Sequence, residues 1–226
     1  MKILAIDTAT EACSVALFDH DNCHEIFEII PRQHTERVIP MVDDVLQKAQ
    51  ISLPQLDAIA FNCGPGSFTG VRVGTSVAQG LAFSCDIPVI PVSSLAALAQ
   101  LAFREENKES VLSMIDARMN ELYWACYVLE SGLMKPATKE RVSPVKEIDQ
   151  KGEWHCQGSG WDTFNTELKQ STLVNITSST VKCFPHAQDV AVLATDLFLQ
   201  GKTLKAENAL PSYVRDEVTW KKLKDQ

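Results

Sequence analysis

The order in which two periodicities follow one another over the first hundred residues constrains this chain more than any single motif. Residues 2–8 (KILAIDT), 12–19 (ACSVALFD) and 23–30 (CHEIFEII) are β-rich runs separated by short polar turns, the pattern of an antiparallel three-strand meander. The first run is apolar on both faces, as a central strand covered by helices must be. From residue 35 the period changes. Val38, Met41, Val42, Val45, Leu46 and Ala49 fall at i, i+3, i+4, i+7, i+8 and i+11, which predicts a helix over 35–49. Pro40 lacks a backbone donor and predicts a bend or a late start there. Residues 56–63 (LDAIAFNC) then read as a strand, 67–83 as a helix, 88–92 as a strand and 94–104 as an alanine-rich helix. The resulting order is βββαβαβα.

Three meandering strands followed by two parallel crossovers describe the ribonuclease H-like half of actin, hexokinase and their relatives. That half is normally built twice, and an internal copy is visible. Ile6-Asp7-Thr8-Ala9-Thr10-Glu11 before a strand is echoed by Ile115-Asp116-Ala117-Arg118-Met119-Asn120-Glu121 before residues 122–129, with offsets of 116 − 7 = 109 and 121 − 11 = 110. The rest of the second half is degenerate: a strand near 154–158 and helices over 161–170 and 188–200. The expectation is an α/β protein of the actin-like ATPase fold, with two lobes that each carry a mixed sheet flanked by helices. Residues 1–105 would form the first lobe and 106–209 a smaller second lobe, with the polar stretch 104–109 (REENKE) as the boundary and 210–226 packing back.

Composition narrows the functional classes. Hydrophobic residues at 45% and charged residues at 22% describe a chain that folds throughout. Lys and Arg number 21 against 29 Asp and Glu, and the net charge of −8 disfavours direct binding to a phosphate backbone. Residues 1–7 run straight into a strand pattern without an apolar stretch long enough for export or spanning, so the expected location is the cytoplasm, with no membrane partner. Cys13, Cys23, Cys63, Cys85, Cys126, Cys156 and Cys183 are dispersed and form no C-x-x-C pair, which fits reduced, buried thiols.

The motifs that could carry chemistry each have a plainer account. Proteins of this fold hold phosphates in the turn of the first hairpin, where an Asp positions Mg²⁺ and small residues offer amides. Here Asp7, Thr8 and Thr10 remain as weak candidates, but the turn lacks glycine and Glu11 adds negative charge. The plainer reading has these three side chains satisfying backbone groups. In the second turn Arg118 is expected to pair with Asp116. The loop Gly64-Pro65-Gly66-Ser67-Phe68-Thr69-Gly70 is no Walker A loop, since no Lys follows its glycines; Ser67 or Thr69 is expected to cap the following helix. Within that helix Gly70, Gly74 and Ala78 leave a smooth stripe for a sheet or a partner helix. His20 and His24 flank hairpin-turn residues, and no pairing of Ser or Cys with His suggests a nucleophile.

Taken together, ILAIDTATEACSVALF, RQHTERVIPMVDDVL, GPGSFTGVRVGTSVAQGLAF, IPVSSLAALA, IDARMNELYWACY and LPSYVRD resemble the TsaB (YeaZ) family from end to end. The resemblance implies a non-catalytic partner of TsaD in the machinery that forms N6-threonylcarbamoyladenosine at position 37 of ANN-decoding tRNAs. TsaE would complete a ternary complex, TsaC would supply threonylcarbamoyl-adenylate, and tRNA would be met only through the complex. No cofactor would be required by this chain, ATP and metal residing on partner proteins. Where TsaD carries a His-Met-Glu-Gly-His metal motif, this sequence has Ser94-Leu95-Ala96-Ala97-Leu98, so Ser94 and Leu98 stand in place of the two ligands. The family joins TsaD, or a second copy of itself when TsaD is absent, through its first two helices. The implied interface comprises Val38, Ile39, Val42, Val45 and Leu46 on the first helix and Gly70, Val71, Gly74 and Ala78 on the second, with the wide apolar stripe of the first helix read as surplus to packing. The competing expectations are an active small-molecule phosphotransferase of the same fold, a metallopeptidase-like protein and a direct tRNA carrier.

Overall fold

The computed structural model describes residues 1–19, 22–181 and 183–215. The chain begins with β1 (Lys2–Asp7), β2 (Ala12–Asp19) and β3 (Asn22–Ile29), followed by α1 (His34–Ala49), β4 (Ala58–Gly64), α2 (Phe68–Cys85), β5 (Val89–Ser93) and α3 (Ser94–Glu106). The remainder adds β6 (Ser110–Asp116), β7 (Leu122–Glu130), β8 (Leu133–Pro136), β9 (Arg141–Ser143), β10 (Gln150–Gln157), α4 (Ser159–Gln170), β11 (Val174–Thr180) and α5 (Ala187–Leu199).

Two sheets result, one ordered β3-β2-β1-β4-β5 and the other β8-β7-β6-β10-β11, with β9 attached to β7. The senses match strand for strand. In each, the three meander strands pair antiparallel and the two later strands join parallel beside the first. The repeat seen in the sequence is therefore a repeat of topology: two ribonuclease H-like sheets flanked by helices, the actin-like fold.

Helices α1 and α2 cover one face of the first sheet. Val38, Met41, Val42, Val45 and Leu46 meet Leu4, Ile6, Val15, Leu17 and Phe61 there. The other face is covered by α5, where Ala187, Val190, Ala191 and Ala194 lie on Ile3, Ala5, Ala16, Ala58 and Ala60. Chain order and spatial grouping thus part company. Residues 187–209, expected in the second lobe, belong to the core of the first, and Ala206 and Ala209 join the cluster beneath α2. Helix α3 packs on both lobes, placing Ala97 in the first and Leu95 and Leu98 against Val111 and Tyr127 of the second. A two-pronged pair, Arg104 Nε to Asp189 Oδ1 at 2.9 Å and Nη2 to Oδ2 at 3.0 Å, ties α3 to the first turn of α5.

Pro40 lies inside α1, which runs from His34 to Ala49 as one helix, so the expected late start does not occur. Both Pro40 and Glu36, whose carbonyl lacks a helical donor because of it, are exposed, and water can satisfy the freed group.

Candidate functional site

The end of the first strand, the turn after it and the loop after the fourth strand meet at one edge of the first lobe. Here β1 delivers Asp7 and the parallel pairing of Ile6 with Phe61 sets Asn62 beside it. Asp7, Asn62 and Ser94 are all buried, and their side chains satisfy one another. The Asn62 amide donates to Asp7 Oδ2. Asn62 Oδ1 accepts from the Ser94 hydroxyl and, at 3.0 Å, from the Gly64 amide. Asp7 Oδ1 accepts from the Ala9 amide at 3.0 Å. Complete burial pushes the Asp7 carboxyl up to about 7, against the opposing pull of the Ala9 and Asn62 hydrogen bonds.

The turn is closed from above by the loop that opens α2. Thr8 Oγ1 donates to the Gly70 carbonyl at 2.7 Å, and the Ser67 amide donates to the Ala9 carbonyl at 2.7 Å. A Cβ on Gly66 would stand 2.3 Å from the Ala9 oxygen, and one on Gly70 would stand 2.1 Å from the Thr8 oxygen. Glycine at these positions lets one backbone seat directly on another. Thr10 Oγ1 accepts from the Ala12 amide at 3.4 Å, and Ser67 caps α2 by accepting from the Gly70 amide at 3.3 Å. Asp7, Thr8 and Thr10 are all engaged with neighbouring protein groups.

A second network fills the space between the lobes. Glu140 accepts from Tyr127 at 3.0 Å and from Ser93, whose oxygen also accepts the Leu95 and Ala96 amides at the start of α3. Burial pushes the Tyr127 phenol well above its ordinary range, so it remains a donor. Leu98 is buried in apolar surroundings and offers no donor atom. Among the described residues no three His, Cys, Asp or Glu side chains group to hold a metal ion. The thiols of Cys13, Cys63, Cys126, Cys156 and Cys183 are pushed up to about 12 by burial and that of Cys23 to about 11, which keeps them protonated and inert. His24 lies on β3, while His20 falls outside the described residues. Arg118 pairs with Asp116 at 3.0 Å on the surface.

The residues expected at a helical interface are placed differently. Val38, Val42, Val45, Leu46, Val71 and Ala78 are buried inside the first lobe, and Gly70 and Gly74 face Thr8. The apolar stripe of α1 is not surplus, because the sheet beneath it takes Val38, Met41, Val42, Val45 and Leu46. Of the expected set only Ile39 is substantially exposed, at 42%. The outward face of α2 is a different one. Thr69, Val73, Ser76, Gly80 and Phe83 follow it at i, i+4, i+7, i+11 and i+14, all exposed or half-buried, with Phe68 and Phe83 each 71% exposed. Sequence reasoning chose the inward stripe because small residues line both sides of this helix.

Fold and site together define a two-lobed, actin-like protein in which Asp7, Asn62 and Ser94 are hydrogen-bonded to one another at the end of the first strand. The chain matches the family profile described as "TsaD: tRNA N6-adenosine threonylcarbamoyltransferase" over residues 26–223. It is 44% identical to the tRNA threonylcarbamoyladenosine biosynthesis protein TsaB of Escherichia coli, over 99% of this chain and 98% of that protein, and 43% identical to its Haemophilus influenzae namesake, over 99% and 97%. Among solved structures, YeaZ from Pseudomonas aeruginosa superimposes with a TM-score of 0.88 at 42% identity, covering 94% of this chain and 99% of that one. A Pseudomonas aeruginosa protein described as similar to peptidase YEAZ gives 0.89 at 43% identity, over 95% and 99%. The chain belongs to the TsaB (YeaZ) family.

Proposed function

We propose that this chain takes part in forming threonylcarbamoyladenosine in tRNA as a non-catalytic partner of a TsaD homologue. The observation that carries this reading is the Asp7–Asn62–Ser94 network, in which the carboxyl group that would position a metal-bound nucleotide is buried and each of its oxygens accepts a hydrogen bond from the protein. ATP and metal are then the business of partner proteins, and this chain supplies a surface. The outward face of α2 supports that role: small side chains at near-heptad spacing, with Phe68 and Phe83 at its ends, let another helix approach closely and offer aromatic anchors. In the absence of the TsaD homologue the same face pairs with a second copy. A TsaE homologue binds the assembled pair, and tRNA is met through the complex, in keeping with a net charge of −8. The place of action is the cytoplasm, and among the described residues no helix is long and apolar enough to cross a membrane.

The test uses exposed positions, because Asp in place of Val42 or Val45 would disrupt the core and report on folding alone. Ser76→Arg combined with Phe83→Asp is expected to leave the fold intact, to abolish co-purification with the TsaD homologue and to remove tRNA modification from a reconstituted mixture. Retention of both would refute this docking face. ATP hydrolysis by the isolated chain, lost on Asp7→Asn, would refute the non-catalytic reading and restore the phosphotransferase.

A further inference from the structure

After α5 the chain runs along α2, with the Gln79 amide donating to the Ala206 carbonyl at 3.1 Å, and then crosses toward the second lobe. On the first-lobe side the Ser212 amide donates to the Cys63 carbonyl at 2.8 Å, at the end of β4 and one residue from the Asn62 that holds Asp7. Approach is close there. Gly64 has φ +104°, and a Cβ on it would stand 3.2 Å from the Ser212 oxygen. Tyr213 follows, its ring 5.2 Å from the Arg72 guanidinium, which itself lies 3.2 Å over the Phe68 ring of α2.

On the second-lobe side Arg215 lies against the turn between β6 and β7. Its guanidinium donates to the Glu121 carboxylate, to the Ala117 carbonyl at 3.4 Å and to Met119 Sδ at 3.4 Å. It also lies 6.0 Å from the Tyr123 ring centre. The turn it grips has three successive left-handed residues, Arg118, Met119 and Asn120, closed by bonds from the Ala117 amide to Glu121 and from the Glu121 amide to Arg118. Residues 210–215 thus touch one loop of each lobe: the end of β4 beside Asn62 in the first, and the turn between β6 and β7 in the second.

We propose that residues 210–215 are an interlobe strap, and that Arg215 is the latch by which the second hairpin turn is held to the corner of the first lobe that carries Asp7. Two lobes joined by one shared helix and a few polar ties, among them Ser93 and Tyr127 on Glu140 and Lys135 on Asp196, move relative to one another by default. A short segment hydrogen-bonded to both suppresses that motion. The latch is electrostatic and partly screened from water: the Arg215 side chain is 18% exposed and its Glu121 partner 32%.

Hydrogen exchange on the full chain tests the latch. In Arg215→Ala, the Ser212 amide and the amides of residues 117–122 are expected to exchange faster by about tenfold or more, while those of β1 and β10 keep their wild-type rates. Arg215→Glu and Glu121→Arg are each expected to open the strap, and the two together to restore protection of Ser212. Wild-type exchange at Ser212 and 117–122 in Arg215→Ala would overturn the proposal. So would a doubly reversed chain no better protected than either single variant, or an acceleration spread equally into β1 and β10.

Discussion

Asp7 is under two opposed demands. The Ala9 and Asn62 hydrogen bonds favour its carboxylate, total burial favours the neutral acid, and burial prevails, setting the folded value at about 7 against 3.8 for a solvent-exposed carboxyl. The consequence for stability has a definite sign. Between those values the folded chain holds a proton that the unfolded chain has released, so the contribution is full below 3.8 and is lost as pH rises toward about 7. A shift of that size corresponds to about 4 kcal/mol. Asp7→Asn removes this titration, at a cost of about 1–3 kcal/mol because its new amide faces that of Asn62. The wild type's advantage in unfolding free energy over the variant, followed from pH 4 to 8, is expected to shrink as pH rises, to reverse sign before about pH 7, and then to level. Burial also raises Asp189, so the wild-type curve alone would mix two carboxyls; a pH-independent difference would place the titration elsewhere. Asp7 itself was legible in the sequence, as the acid ending the first strand. Its partners were not, since Asn62 lies 55 residues away and Ser94 a further 32. The parallel registers of β1 on β4 and of β4 on β5 bring them together.

Helix α2 shows how one element can be right in extent and ambiguous in orientation. Its sequence predicts a helix with a smooth stripe, and the helix is there; but glycine carries no polarity, so Gly70, Gly74 and Gly80 read alike. In the structure they are opposites. Gly70 and Gly74 press on Thr8, with hypothetical Cβ atoms 2.1 Å and 2.6 Å from its oxygens, whereas a Cβ on Gly80 meets nothing within 4 Å. Gly70→Ala would force backbone against backbone and is expected to lower stability by about 3 kcal/mol or more. Gly80→Ala is expected to raise it by about 0.5–1 kcal/mol, since the added methyl restricts the unfolded chain and touches nothing. Urea midpoints measured on the two variants check this, and equal effects would mean that α2 is rotated from the orientation described. The same ambiguity explains α1: periodicity reported the width of its apolar stripe but not the breadth of the sheet waiting beneath it.

At the scale of the whole molecule, the chain's linear order misleads about which residues form a lobe. Helices α1 and α2 follow the strands they cover, but α5 crosses back from the second lobe to seal a face of the first. Neighbouring elements usually pack together, and that rule placed the helix over 188–200 with the sheet it follows. A signal to the contrary was present. Ala5, Ala16, Ala58 and Ala60 line one face of β1, β2 and β4, and Ala187, Ala191 and Ala194 recur at i, i+4 and i+7 on α5, small residues on both sides of a close contact. β8, β9 and β11 escaped sequence reading for a simpler reason, being short or polar edge strands whose pairing supplies most of their order. The placement of α5 has a direct experimental consequence. A fragment ending at residue 105 contains every strand of the first sheet, yet Ile3, Ile90 and Val92 on its uncovered face would meet water, at a cost of several kcal/mol in lost burial. It is expected to be aggregated or without a cooperative thermal transition when produced alone. Supplying residues 186–215 in trans restores the covering helix, with Ser14 again accepting the Ala187 amide and Glu25 the Gln188 amide, and is expected to recover a soluble, cooperatively melting complex. A fragment 1–105 that melts cooperatively by itself would show that α5 is an accessory to the first lobe and that the lobe's core is complete without it.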